Sequence, residues 1–249
     1  MSRSLLFAAN WKMHLGPAEA ASFAATFRNR YTPSEGRDTW FFPPAVSIEA
    51  TARGFAGLAR TRIGAQNIHW EAKGAFTGEL SASLARSAGA SAVLIGHSER
   101  RHLFGETDAE SARKLQAALR DGLIPVLCVG ETLAERDAGS TEAVVRRQLL
   151  TAIESVDRSG LDQLVIAYEP VWAIGTGKNA TPADAAQVHR ALRDSLRTRG
   201  AATTTRILYG GSVNQKNVAA LLAEPEIEGV LVGGASLDPD GWAGICSAG

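Results

Sequence analysis

The sequence predicts one α/β domain over residues 1–249, in which eight parallel strands alternate with helices and close into a (β/α)8 barrel. Three observations support this prediction: the chain length, eight short apolar runs, and helix signals between the runs. A chain of 249 residues suits one such barrel, which typically has about 250 residues. No segment rich in Ser, Gly or Pro divides the chain, so we expect no domain boundary.

The apolar runs are each too short for a helix. Most are continuous rather than alternating, which is typical of strands buried on both faces of a parallel sheet. In chain order, they begin near Leu5, Thr39, Thr61, Ala92, Ile124, Leu164, Arg206 and Glu228. The stretches between them are long enough for crossover helices, so each run predicts one strand of the barrel.

Two of the intervening stretches have clear helix boundaries. Thr107 and Glu110 have the spacing of a capping box at the start of one helix. Gly122 is the stop signal of the same helix, after the apolar residues Leu115 and Leu119. Thr181 and Pro182 supply a cap and a first-turn proline. The alternative fold is an open doubly wound sheet, but its G-x-G-x-x-G fingerprint does not follow the first run.

Composition excludes several classes of protein. The chain has 26 basic and 26 acidic residues and is 45% hydrophobic, which argues against disorder and against nucleic-acid binding driven by net charge. Two cysteines, Cys128 and Cys246, cannot build a disulfide framework. No run approaches the roughly 18 apolar residues of a membrane span, and the first run is short for a signal peptide. We expect a soluble cytoplasmic protein without a membrane or nucleic-acid partner.

Candidate functional residues follow the apolar runs, because ligands of parallel barrels bind at the carboxyl ends of the strands. Strands that simply end in polar loops would explain any one of these residues. They would not explain why a lysine, a histidine and a glutamate all follow strands at the same end of the barrel. No Cys, His or Asp pair has the spacing of metal ligands, so we expect no metal. The candidates are Asn10, Lys12, Gln66, Asn67, His97, Ser98, Glu99, Cys128, Glu131, Glu169, Gly210, Gly211, Ser212, Gly233 and Gly234.

Two of these residues are candidate acid–base groups. Glu169 precedes Pro170, which restricts it to extended backbone, and a carboxylate at a dry strand end should have a raised pKa that suits a general base. His97 would stand at a helix start, whose positive end should lower its pKa and favour a neutral ring that can donate to a carbonyl. A salt-bridged acid and a structural histidine are the alternatives.

The segment 171–178 (VWAIGTGK) combines apolar side chains with two glycines, which predicts a lid over a ligand with Gly175 offering a backbone amide. It is not a P-loop, because Trp172 occupies the first glycine position and Asn179 replaces the Ser or Thr. Glycine pairs after the last two strands predict a phosphate site, a common location in such barrels. Lys12 is the expected fixed cation for a phosphate or an oxyanion.

Six motifs in chain order resemble the triosephosphate isomerase family: AANWKM (8–13), GAFTGE (74–79), IGHSERR (95–101), AYEPVWAIGTGK (167–178), YGGSV (209–213) and VGGASL (232–237). The resemblance implies a TIM barrel that acts as an intramolecular oxidoreductase (an aldose–ketose isomerase) in glycolysis and gluconeogenesis. The implied reaction interconverts dihydroxyacetone phosphate and D-glyceraldehyde 3-phosphate through an enediolate. The resemblance also implies a homodimer that uses no cofactor.

The resemblance implies a role for each site residue by its motif position. Glu169 would be the base, His97 the neutral electrophile and Lys12 the electrostatic stabiliser, roles that come from the family's known mechanism. Asn10 would bind substrate beside Lys12, and Glu99 would support Lys12. The residues that match phosphate-holding amides are Gly175, Ser212, Gly233 and Gly234.

By the same resemblance, the segment Asn67–Leu80 would be the arm by which a subunit of this family enters its partner, with Thr77 at its tip. A plain surface loop is the alternative. Two other functions stay open on the same barrel. A Schiff-base aldolase would need a lysine inside the barrel, where only Lys12 is available. A non-catalytic phosphate-binding barrel would keep the phosphate site without turnover.

Overall fold

A computed structural model describes residues 4–174, 180–201 and 205–248. Eight parallel strands form a closed barrel in chain order: β1 (Leu5–Asn10), β2 (Arg37–Phe42), β3 (Thr61–Ala65), β4 (Ala92–Ile95), β5 (Ile124–Val129), β6 (Val165–Tyr168), β7 (Ile207–Tyr209) and β8 (Gly229–Val232). Each strand pairs with the next, and β1 pairs with β8, where Ala8 lies opposite Leu231. The predicted (β/α)8 barrel is confirmed, and each predicted run corresponds to one strand, although β2 begins at Arg37, ahead of its run.

Helices surround the barrel: α1 (Pro17–Arg30), α2 (Ile48–Gly54), α3 (Ala82–Ser87), α4 (Ser98–Leu103), α5 (Asp108–Arg120), α6 (Leu133–Asp137), α7 (Thr141–Ala152), α8 (Arg158–Leu161), α9 (Pro182–Thr198), α10 (Val218–Ala223) and α11 (Pro239–Ser247). Short 3₁₀ turns span Ala45–Ser47, Val171–Ala173 and Gly234–Ser236. The predicted capping box of α5 is present: the Glu110 N–H donates to Thr107 Oγ1 (3.2 Å), and the Thr107 N–H donates to Glu110 Oε2 (2.8 Å). Thr181 caps α9 in the same way.

The core has two layers, because successive strand residues point to opposite faces. Along β1, Leu6 and Ala8 point into the barrel, whereas Leu5, Phe7 and Ala9 face the helices. Both faces of the strands are therefore buried, which explains the continuous apolar runs of the sequence.

No helix in the described part of the chain combines the length and the apolar character that crossing a bilayer requires. Across residues 4–174, 180–201 and 205–248, no group of three or more His, Cys, Asp or Glu side chains is arranged to hold a metal ion.

Candidate active site

A cavity of about 330 Å³ opens at the carboxyl ends of the strands. The structure brings together at this mouth most of the residues that the sequence predicted. Glu99 lies beside them through its contact with Lys12. Gly175 lies outside the described residues. The predicted residues that line the cavity are Asn10, Lys12, His97, Glu169, Gly210, Gly211, Ser212, Gly233 and Gly234.

Glu169 is the first residue after β6, and its side chain is only 3% exposed. Its backbone N–H donates to the carbonyl oxygen of Val129 (2.8 Å), which extends the pairing of β6 with β5 by one residue. Its Oε2 accepts a hydrogen bond from the Ser98 N–H (2.9 Å). The carboxylate is thus held by the neighbouring strand and by the first turn of α4.

Two glycines make room for Glu169. A Cβ on Gly130 would lie 1.8 Å from the Glu169 carbonyl oxygen, and a Cβ on Gly210 would lie 2.8 Å from Glu169 Cγ. Sequence reasoning assigned Gly210 only to the phosphate site and missed Gly130. The available signal was a glycine directly after β5, at the carboxyl end where the candidates were sought.

His97 is the residue that caps α4. Its Nδ1 accepts a hydrogen bond from the Glu99 N–H (3.2 Å), and its Nε2 lies 3.0 Å from Glu169 Oε1. Since Nδ1 accepts, a neutral ring carries its hydrogen on Nε2, the nitrogen that faces the mouth. Asn10 Nδ2 lies 3.1 Å from the same nitrogen. The first two amides of α4 therefore orient both candidate acid–base groups.

The pKa values of Glu169 and His97 are shifted in the directions opposite to those expected from the sequence. Burial opposes the charged form of each group, but the charge of His97, its hydrogen bond and the Ser98 amide outweigh burial and lower the pKa of Glu169. At His97, burial lowers the pKa, but the charge of the Glu169 carboxylate and its hydrogen bond outweigh burial and raise the pKa. The expectation was wrong because it treated the two residues separately, whereas their side chains contact each other directly.

Lys12 has a left-handed backbone, with φ of 50°. Its N–H donates to Asn10 Oδ1 (3.0 Å), and its carbonyl oxygen accepts from Gln66 Nε2 (2.7 Å). Its Nζ lies 2.6 Å from Glu99 Oε1, an ion pair at the rim of the cavity. Gln66 also donates to the Phe42 carbonyl (2.8 Å), so it ties the loop after β1 to the end of β2. The sequence placed Gln66 at a strand end but gave it no role.

The glycine-rich end of β8 forms a fixed turn. The Ser236 hydroxyl donates within this turn to the carbonyl oxygen of Gly233 (2.7 Å). A Cβ added to Gly234 would meet no atom within 4 Å, so its backbone is open to a ligand. On the neighbouring loop, Asn217 Nδ2 donates to the Ser212 carbonyl (3.0 Å). These two loops line the same cavity and suit an anion.

The start of the predicted lid is anchored on Glu131, a fully buried residue after β5. Its Oε1 accepts hydrogen bonds from Trp172 Nε1 (2.8 Å) and from the Tyr168 hydroxyl (3.1 Å). Burial raises the pKa of Glu131. Ile174 lines the cavity, whereas residues 175–179 of the predicted lid lie outside the described residues.

Cys128 is fully buried inside the barrel, as the sequence predicted. Burial, together with the charge of Glu169, raises the pKa of its thiol. Since the thiolate is the reactive form of cysteine, the thiol is unreactive in this position.

Comparison with known proteins identifies close relatives. A family model described as triosephosphate isomerase matches residues 5–249. The chain is similar to the triosephosphate isomerase of Symbiobacterium thermophilum, with 48% identity over 99% of this chain and 97% of the relative. It is also similar to those of Solibacter usitatus (47% identity, 98% of each chain) and Synechocystis sp. (46% identity, 98% of each chain).

Proposed function

This chain belongs to the triosephosphate isomerase family and interconverts dihydroxyacetone phosphate and D-glyceraldehyde 3-phosphate, and we propose that Glu169, His97 and Lys12 carry out the reaction. The observation that supports this assignment is the 3.0 Å contact between Glu169 Oε1 and His97 Nε2 at a mouth that Lys12 also lines. A base, a hydrogen-bond donor and a cation thus converge on one small cavity.

In the proposed mechanism, the substrate carbons enter between Glu169 and His97 and replace their mutual contact. Glu169 removes a proton from the carbon beside the carbonyl, His97 Nε2–H donates to the carbonyl oxygen, and Lys12 stabilises the negative charge of the enediolate. Glu169 then returns the proton to the neighbouring carbon. His97 gives its Nε2 proton to the former carbonyl oxygen and takes the proton of the neighbouring hydroxyl, which becomes the new carbonyl. The two trioses therefore differ in the positions of two hydrogens, one on carbon and one on oxygen, and no proton is gained or lost overall.

The backbone amides of Ser212, Gly233 and Gly234 are the proposed phosphate donors, with Gly175 of the lid and the side chain of Asn10 completing the binding set. Their role is to fix the substrate relative to the base. A positioned base contributes about 10²–10⁴-fold to a rate, so binding of the remote phosphate must also drive orientation and exclusion of water.

Glu99 is proposed to support Lys12 through their 2.6 Å ion pair. The same contact disfavours a Schiff-base aldolase, which requires a free and desolvated amine. In the described part of the chain, Lys12 is also the one lysine that lines the cavity. The base and the electrophile beside it disfavour a non-catalytic phosphate-binding barrel.

We also propose the setting in which the enzyme works. It is one domain over residues 1–249, acts in the cytoplasm in glycolysis and gluconeogenesis, uses neither a cofactor nor a metal, and forms a homodimer. The balanced net charge supports the absence of a nucleic-acid partner, and the isomerisation needs no redox group because the proton is returned to the substrate.

Replacing the base tests the proposal. Glu169→Gln keeps the size of the side chain but cannot accept the proton, so kcat should fall by about 10²–10⁴-fold, while the affinity for glycerol 3-phosphate changes little. The assay couples D-glyceraldehyde 3-phosphate formation to a dehydrogenase. Glu142→Gln, at an exposed position on α7, is the matched control. Turnover near the wild-type value in Glu169→Gln would refute the assignment of the base.

A further inference from the structure

A second cavity, here called the lower cavity, lies at the opposite end of the barrel, where the strands begin. Its volume is about 530 Å³, and it is lined by residues at the starts of β2, β3, β5, β6 and β7. Its inner wall is Trp40, which is 2% exposed and belongs to the apolar cluster that fills the barrel. The packed barrel interior therefore separates the lower cavity from the active site.

Arginine side chains determine the charge of the lower cavity. Arg60, Arg62 and Arg206 line it together with two acids, Asp38 and Asp162. Arg206 Nη1 lies 2.5 Å from Asp38 Oδ2, and Arg60 Nη1 lies 3.5 Å from Asp38 Oδ1, so these two guanidinium groups share one carboxylate. Three positive side chains thus face two negative ones, and the lining has a net positive charge.

Arg62 forms no ion pair with any residue that the structure describes. Its guanidinium carbon lies 5.9 Å from the centroid of the Trp40 ring, and that of Arg206 lies 5.4 Å from the same centroid. Contact with an aromatic face restricts an arginine side chain without using its N–H groups. Two guanidinium groups are therefore held over one ring with donors available to a ligand.

We propose that the lower cavity binds a small phosphate-bearing anion. Arg62 supplies a planar fork of N–H donors that matches two phosphate oxygens. Arg60 and Arg206 supply the N–H groups that are not directed at Asp38. This is a second anion site, at the opposite end of the barrel from the loops proposed to hold the phosphate of the substrate.

The test must separate the two sites, since the active site also takes phosphate. Gly234→Asp serves this purpose, because an added Cβ meets no atom within 4 Å and the new carboxylate repels an anion at the active site. Inorganic pyrophosphate is then titrated into this variant at low ionic strength, with calorimetry as the readout. The same titration is made with Arg62→Gln, and with Arg190→Gln as a control at an exposed arginine on α9, each added to Gly234→Asp.

We expect one bound pyrophosphate in Gly234→Asp, weakened by at least about tenfold in the double variant with Arg62→Gln and unchanged in the one with Arg190→Gln. Far-UV circular dichroism checks that each variant is folded. Absence of binding in folded Gly234→Asp, or binding that Arg62→Gln leaves within twofold, would overturn the proposal. Arg62→Gln alone should retain wild-type isomerase activity, so this result is independent of the catalytic assignment.

Discussion

Lys12 shows how a single residue can depend on its neighbours for its conformation. A left-handed backbone costs a residue other than glycine roughly 1–2 kcal/mol. At Lys12 this conformation is held by Asn10, which accepts from its N–H, and by Gln66, which donates to its carbonyl. Gln66 is therefore a positioning residue, because it fixes the backbone from which the proposed stabilising cation extends.

Removing the Gln66 amide tests this role. In Gln66→Ala both hydrogen bonds to the backbone are lost, and we expect kcat to fall by about tenfold or more, since small misplacements of a charged group reduce catalysis strongly. KM and kcat are measured separately with the coupled assay. Gln187→Ala changes an exposed glutamine of α9 and should have wild-type kinetics. An unaltered kcat in Gln66→Ala would show that Lys12 holds its position without Gln66.

His189 links stability to pH. It is fully buried, its Nδ1 lies 3.0 Å from the Glu226 carbonyl oxygen, and its Nε2 has no hydrogen-bond partner in the described part of the chain. Burial lowers its pKa to about 4. The unfolded chain binds a proton at His189 near pH 6.5 and the folded protein does not, so this contribution to stability is present above pH 6.5 and is lost as the pH falls towards 4.

The expected loss at His189 is about 3 kcal/mol between pH 6.5 and pH 4. Urea unfolding at a series of pH values measures it. His189→Gln carries no titrating group at this position, so its free energy of unfolding should fall less on acidification than that of the wild-type protein. Parallel curves for the two proteins would contradict the assignment.

The candidate side chains could be predicted from the sequence because they directly follow apolar runs. The directions of the pKa shifts could not, since they depend on the contact between His97 and Glu169, which are far apart in the chain. The role of Gly130 was hidden for the same reason. Its constraint is the carbonyl oxygen of Glu169, directly after the neighbouring strand β6.

At the scale of elements, the close approach between the ends of β5 and β6 positions the base. Gly130→Ala would place a methyl group 1.8 Å from the Glu169 carbonyl oxygen, so the two strand ends must separate. We expect a loss of roughly 1–3 kcal/mol in stability, the usual range for overpacking, and a lower kcat as Glu169 shifts.

A matched control for Gly130→Ala is Gly16→Ala, where the nearest atom to the added Cβ is Glu19 Oε2 at 3.6 Å. It should leave kcat unchanged. Thermal unfolding and the coupled assay give the two readouts. If Gly130→Ala behaved like Gly16→Ala, the close approach would not matter for positioning the base.

The longer helices could be predicted in part from their caps, as α5 and α9 illustrate. The four-residue α8 and the three-residue turn Val171–Ala173 could not, because elements this short have no periodicity and are stabilised by the surrounding packing rather than by intrinsic propensity.

At the scale of the whole molecule, most of the exposed large apolar side chains among the described residues follow the first four strands. Met13 is 92% exposed, Val46 74% and Phe76 43%. Gln66 and Ser47, which donate to carbonyl oxygens of the loop after β1, hold the loops after the first three strands together. Contiguous exposed apolar surface is a mark of protein–protein interfaces, and exposed side chains of this size on loops at one end of the barrel support the proposed homodimer.

Phe76→Glu should weaken that dimer, because it places a charge within an apolar interface. Sedimentation velocity over a range of protein concentrations measures the effect. Leu133→Glu changes a side chain with the same 43% exposure, but at the start of α6, which follows β5, and should leave the mass unchanged. A monomeric wild-type protein, or equal behaviour of the two variants, would contradict the proposal.

The barrel as a whole could be predicted from the sequence because strand order follows chain order. The lower cavity could not. Its arginines stand at the starts of β3 and β7, which are distant in sequence, and each one separately has the pattern of an ordinary solvated residue. Only closure of the ring brings Arg60 and Arg206 to the same carboxylate.

Ring closure also has a consequence for synthesis on the ribosome. One edge of β1 can pair with β2 early, but its other edge has no partner until residues 229–232 emerge. For most of translation the nascent chain therefore presents an open strand edge of apolar sequence, a template for pairing with other chains. We expect Leu5–Asn10 to be the segment that most needs a chaperone before release, although in the finished barrel it has no open edge.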